Sequence, residues 1–83
     1  MKTLVKNNVS LMILNDNTPV KFGEYIEIGN PVKFRINNKD GSVILYENVE
    51  PPLNYVGKRF CFDGKTWSFN FNWRDATFTA AKR

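Results

Sequence analysis

The stretch Lys58–Trp73 reads KRFCFDGKTWSFNFNW, and it narrows the folds open to this chain more than any other segment. Asp63-Gly64 lies between two alternating runs. Asp-Gly at such a place favours a two-residue hairpin turn, because a type I′ turn needs positive φ at both central residues. With Asp63 and Gly64 at the tip, the expected pairs are Phe62–Lys65, Phe60–Trp67, Lys58–Phe69 and Val56–Phe71. Side chains alternate between faces along a strand. Phe60, Phe62, Trp67, Phe69, Phe71 and Trp73 therefore share one face. Arg59, Cys61, Thr66, Ser68, Asn70 and Asn72 share the other. A three-residue loop would divide the aromatics between faces.

The rest of the chain carries no helical period. Gly, Pro and Asn interrupt it at short intervals. Short alternating runs bounded by turn residues predict an all-β domain. Strands are expected over Lys2–Lys6, Ser10–Leu14, Val20–Phe22, Glu24–Ile28, Val32–Asn37 and Ser42–Val49, followed by the aromatic hairpin. Gly23 reads as a bulge or bend between two runs of one strand. Along Val32–Asn37, Val32, Phe34 and Ile36 are expected inward and Lys33, Arg35 and Asn37 outward. Asn38-Lys39-Asp40-Gly41 reads as a hairpin loop with Ser42–Val49 as the returning strand. Pro51 and Pro52 exclude the connection Glu50–Tyr55 from a central strand. Arg74-Asp75 reads as a break, Ala76–Ala80 as a last short strand or an arm, and residues 76–83 together as a C-terminal arm. The architecture expected is one antiparallel barrel or sandwich of six to eight short strands over residues 1–83.

At 83 residues the chain is one domain. A chain of this size buries roughly 60% of its extended surface on folding, so its core is thin. The aromatic hairpin is the largest apolar surface in the sequence, and it is the expected main supply of buried area. Trp73 and Phe78 fall beyond the reach of its first strand. They read equally as core extension or as an interface hot spot.

The residue inventory argues against catalysis. Without histidine the commonest general base and metal ligand is missing. One cysteine, Cys61, cannot form an internal disulfide or a thiolate zinc site. The five glycines are isolated, so no phosphate-cradling loop is present. The expectation is a non-enzymatic protein without cofactor, metal or small-molecule substrate. The opening Met1–Asn8 has no apolar run, and Leu11–Leu14 is too short to span a bilayer. Together with the single cysteine, this predicts a chain made in a reducing cytoplasm and not associated with a membrane.

A net charge of +4 permits contact with nucleic acid without requiring it. Small β-barrels bind single strands with aromatics on a basic sheet face. Lys33, Arg35, Lys58 and Trp67 are the candidate contacts for that reading.

The segment Glu50–Trp67, EPPLNYVGKRFCFDGKTW, resembles a pattern in short β-rich proteins encoded by tailed bacteriophages, cyanophage-like viruses among them. There a proline-containing connection precedes a Gly-Lys/aromatic-x-aromatic-Asp-Gly-x-x-Trp hairpin. The opening Lys2–Asn8 and the central Ile28-Gly29-Asn30-Pro31 are similar too. The resemblance implies a virion-associated role without an active site: capsid decoration, or an accessory subunit of neck, tail or fibre. It implies that the partners are a larger virion protein or copies of the chain itself. The candidate contacts are Pro51, Pro52, Tyr55, Trp73, Phe78 and Arg83. A third expectation is a phage-encoded inhibitor of a host protein.

Overall fold

The computed structural model describes residues 1–72. They form eight strands: β1 (Lys2–Lys6), β2 (Val9–Leu14), β3 (Val20–Lys21), β4 (Tyr25–Ile28), β5 (Phe34–Asn37), β6 (Val43–Tyr46), β7 (Phe60–Phe62) and β8 (Trp67–Phe69). The expected break at Arg74-Asp75, the strand or arm over 76–83, and the residues Trp73, Phe78 and Arg83 lie outside the described residues.

All pairing is antiparallel. A five-stranded sheet has the order β6-β1-β2-β7-β8, and a three-stranded sheet the order β3-β4-β5. Asn7 and Asn8 join β1 to β2 with φ of 52° and 66°. Two consecutive positive φ values are the type I′ requirement, and Asn meets it at low cost.

Three topological expectations are corrected. Gly23 is not a bulge within one strand. It lies in a hairpin turn, and β3 pairs back on β4 through Val20↔Ile28 and Lys21↔Glu27. The Asn38–Gly41 loop does reverse the chain, and its turn chemistry is satisfied. Asn38 Oδ1 accepts from the Val43 amide, and Asp40 Oδ1 from the Ser42 amide and hydroxyl. Yet β6 does not return to β5. It crosses to the other sheet and pairs with β1 from Thr3↔Tyr46 to Lys6↔Val43. A turn signal specifies a reversal, not the strand that receives it.

The third correction is the aromatic hairpin register. The pairs are Phe62↔Trp67, Cys61↔Ser68 and Phe60↔Phe69. The loop is Asp63–Thr66, two residues longer than an Asp-Gly tip. Asp63 explains it: its Oδ1 accepts the amides of Lys65 and Thr66 at 2.8 and 2.7 Å. A side chain that caps two amides stabilises the wider loop locally. A two-residue slip keeps the side-chain parity, so the aromatics still share a face.

The core lies between the sheets and is aliphatic. Leu4, Ile26, Ile28 and Val43 form it, with Met12, Leu14, Val20, Ile36 and Leu45 packed around them. Register places Leu4, Met12, Leu14, Val43 and Leu45 on one face of the larger sheet. Ile26, Ile28, Val20 and Ile36 face them from the smaller one. The molecule is therefore a two-sheet sandwich. On β5 only Ile36 follows its expected inward placement fully, because Val32 and Phe34 stand at the open end and remain 45% and 57% exposed.

The aromatic face is not the main core. It covers the opposite face of the larger sheet, where Thr3, Val5, Ser10 and Phe62 are buried. Phe62 is 4% exposed, whereas Phe71 is 67% exposed. The β7–β8 hairpin joins β2 through one ladder pair, Val9↔Cys61. Rings spaced along so short an attachment cannot reach the space between the sheets.

Gly57 holds this outer layer close. A Cβ there would stand 2.7 Å from the carbonyl oxygen of Leu11. Backbone cannot yield as a side chain can, so Gly57→Ala is expected to cost about 1–3 kcal/mol, as overpacking does. A lowered urea midpoint would show it, with the hairpin amides losing hydrogen-exchange protection first.

Candidate functional site

The outer face of the larger sheet is the most elaborated surface of the molecule. After β6, the segment carrying Pro51 and Pro52 crosses this face and delivers Tyr55 to Ser10. The Tyr55 and Ser10 hydroxyls lie 2.8 Å apart, and those of Ser10 and Thr3 lie 2.6 Å apart. Thr3 Oγ1 also donates to the Met12 carbonyl at 2.8 Å. Thr3 and Ser10 have no accessible surface, so the chain of hydroxyls satisfies polar groups that would otherwise be buried alone.

Burial pushes the Tyr55 phenol above its ordinary value of 10.0, against the smaller opposing pull of hydrogen bonds from Ser10 and Thr3. The folded state thus favours the protonated ring. This contribution is fully present below about pH 10 and is lost as pH rises through the raised folded value. Tyr55→Phe is expected to cost about 1 kcal/mol near neutrality. It should also remove this component of the alkaline stability loss, read by urea melts between pH 8 and pH 11.

From Tyr46 a continuous ladder of rings runs across the hairpin. Tyr46 meets Phe62 edge-on at 5.2 Å, and Phe62 stacks on Trp67 at 4.4 Å. Trp67 meets Tyr55 at 6.0 Å, and Tyr55 lies nearly parallel to Phe60 at 6.3 Å. Phe60 meets Phe69 at 6.1 Å, and Phe69 meets Phe71 at 5.5 Å. These separations suit aromatic pairs. Along the ladder, Phe62 is buried, and Phe71, the last ring among the described residues, is 67% exposed. On the preceding connection Leu53 is fully exposed and Val56 45% exposed.

Of the expected contact residues, Pro51 and Pro52 are half-buried on the strap, and Tyr55 is committed to Ser10. The exposed apolar residues beside them are Leu53, Val56 and Phe71. Parity did not single out Leu53, because the connection has no period; Val56 and Phe71 were expected as a pair of the hairpin.

The basic candidates are divided. Arg35 and Lys58 line one groove of about 350 Å³, together with Lys6, Leu11, Met12, Ile36 and Asn37. Lys58 was expected on the aromatic face. Its φ of 70° breaks the strand alternation and turns it to this groove. Lys33 lines a different cavity, and Trp67 is stacked on Phe62. Lys6 pairs with Asp40 at 3.8 Å and Arg35 with Glu27 at 3.2 Å. Sequence reading missed Lys6. Its signal is a cation at core-face parity on the last residue of a strand.

The larger cavity, about 680 Å³, opens at one end of the sandwich. The β2–β3 loop and the β4–β5 turn wall it. Lys2, 8% exposed, donates from Nζ to the carbonyl of Thr18, one of the lining residues. Among the described residues, no group of three or more His, Cys, Asp or Glu side chains is placed to hold a metal ion.

The fold and its surfaces define a small two-sheet β-sandwich with an aromatic strap. No protein-family model, curated protein or solved structure matches the chain. The geometry and the sequence carry the functional reading.

Proposed function

We propose that this chain is a non-enzymatic accessory subunit of a phage particle, working by packing against a larger virion protein or against further copies of itself. The observation that supports this most is the aromatic ladder. Among the described residues it runs out to Phe71, 67% exposed, on a face that also carries the exposed apolar side chains Leu53 and Val56 on the preceding connection. Large bare rings beside a rigid scaffold are the usual anchors of protein interfaces. The resemblance of Glu50–Trp67 to phage proteins supplies the particle. Mass spectrometry of purified virions is expected to find the chain at a fixed copy number. In reconstitution, Phe71→Asp should lower its incorporation at least tenfold while leaving the melting curve unchanged. Absence from intact particles overturns the reading.

A second reading is a binder of single-stranded nucleic acid, supported by the meeting of Lys6, Arg35 and Lys58 on one groove. It predicts an affinity that falls steeply with salt, through counterion release. No binding of DNA or RNA oligonucleotides at low salt would dispose of it.

A further inference from the structure

Asparagine is frequent in this chain, and most of its positions have a structural reason. Asn7, Asn8 and Asn48 take positive φ in turns. Asn37, Asn38 and Asn70 bond backbone groups through their side chains. Asn15, Asn17, Asn30, Asn54 and Asn72 do neither. Their φ values are not positive, and among the described residues their side-chain amides make no hydrogen bond. The first three line the end cavity.

The other walls give this cavity a distinct chemistry. Leu14, Pro19 and Ile28 form an apolar side, and the Phe34 ring stands on its rim, 57% exposed. Phe34 has inward parity on β5, paired with Ile28, but it reaches past the end of the core. Asp16 lies on the wall too, in an exposed ion pair with the amino group of Met1 at 3.0 Å. Lys33 is the one uncompensated charge among the described lining residues.

We infer that this cavity is a binding site for a neutral sugar ring, stacked on Phe34 and hydrogen-bonded by Asn15, Asn17 and Asn30. A pyranose presents one face of polarised C–H groups and an edge of neighbouring hydroxyls. The negative face of an aromatic ring attracts the first. A side-chain amide, with one acceptor and two donors, serves two adjacent hydroxyls at once, each of which both gives and takes. Carboxylates only accept, and ammonium groups only donate. Three free amides beside one bare ring therefore select a polyhydroxylated neutral ligand over an ion. The volume falls in the range of small-molecule sites. The inference does not depend on the virion reading, because the aromatic ladder takes no part in it.

The test is an amide NMR titration of the full chain with methyl α-glucopyranoside, methyl β-galactopyranoside and methyl N-acetyl-β-glucosaminide. Inorganic phosphate serves as the anionic control and cyclohexanol as the apolar one. At least one glycoside is expected to give saturable shifts confined to Leu14–Pro19 and Ile28–Phe34, with a Kd of order millimolar. Phe34→Ala and the double variant Asn15→Ala/Asn17→Ala should each weaken that binding about tenfold. All these side chains are exposed, so an unchanged melting curve accompanies the loss. Three outcomes overturn the inference: no saturable shift with any of the three glycosides, shifts with phosphate or cyclohexanol alone, or glycoside binding undiminished in both variants.

Discussion

Leu4→Ala is expected to lower the free energy of unfolding by about 2–5 kcal/mol. Leu4 has no accessible surface and sits at the middle of β1, a strand of the larger sheet paired on both sides. It pairs with Met12 on one side and Leu45 on the other, and its side chain joins Ile26, Ile28 and Val43 between the sheets. Truncation removes contacts from both sheets at once, and strands paired on either side cannot collapse into the gap. At ~0.05–0.15 kcal/mol per residue, an 83-residue domain has about 4–12 kcal/mol of stability in total. The loss is thus a large share of it. Urea unfolding should show a much lower midpoint with little change in slope. Ile44→Ala is the comparison. Ile44 lies on the opposite face of the same sheet and is 49% exposed, so its truncation should cost under about 1 kcal/mol. Equal losses for the two variants would mean that the sheets do not enclose the principal core.

The contrast explains what the sequence made legible. Element type follows from local pattern, and β1 occupies the expected Lys2–Lys6. The faces of the hairpin were legible as well, since parity survives a slip of two residues. Register was not. Asp63-Gly64 signals a turn, but the Asp63 carboxylate decides its width by capping Lys65 and Thr66. The two-residue turn with both φ positive occurs instead at Asn7-Asn8. Sheet membership was not legible either. Nothing between Asn37 and Val43 says that β6 will pair with β1 rather than β5, because that choice is made by long-range packing. The same holds for the site. The sequence has many asparagines at turns, but only the three-dimensional walls show that Asn15, Asn17 and Asn30, themselves in turns, gather at one cavity with unbonded side-chain amides. Lys58 left its expected face because one positive φ resets the alternation. Trp67 was foreseen on the aromatic face, and there it touches Phe62 and Tyr55, while Lys33, Arg35 and Lys58 line two cavities whose walls do not include it.

Size ranking made the aromatics look like the core. Their attachment decides otherwise, and Phe62→Ala measures how much of the ladder serves folding. Phe62 is expected to cost about 3–5 kcal/mol on truncation. It is 4% exposed, meets Tyr46 edge-on and Trp67 face-on, and its amide donates to the Asn8 carbonyl at 2.7 Å. Phe71→Ala should instead stay within about 0.5 kcal/mol of the parent, because its ring, in contact with Phe69, is 67% exposed. Among the described residues the ladder then runs from a buried ring to an exposed one. A ring that stays largely in water contributes little to the stability of the chain itself. If the proposed subunit contact covers the ring, burying it there is worth about 2 kcal/mol per copy. In an assembly of many copies such an increment sets occupancy steeply. If Phe71→Ala destabilised the isolated domain as much as Phe62→Ala, the ladder would be folding machinery throughout. The bare end would then lose its claim to a partner.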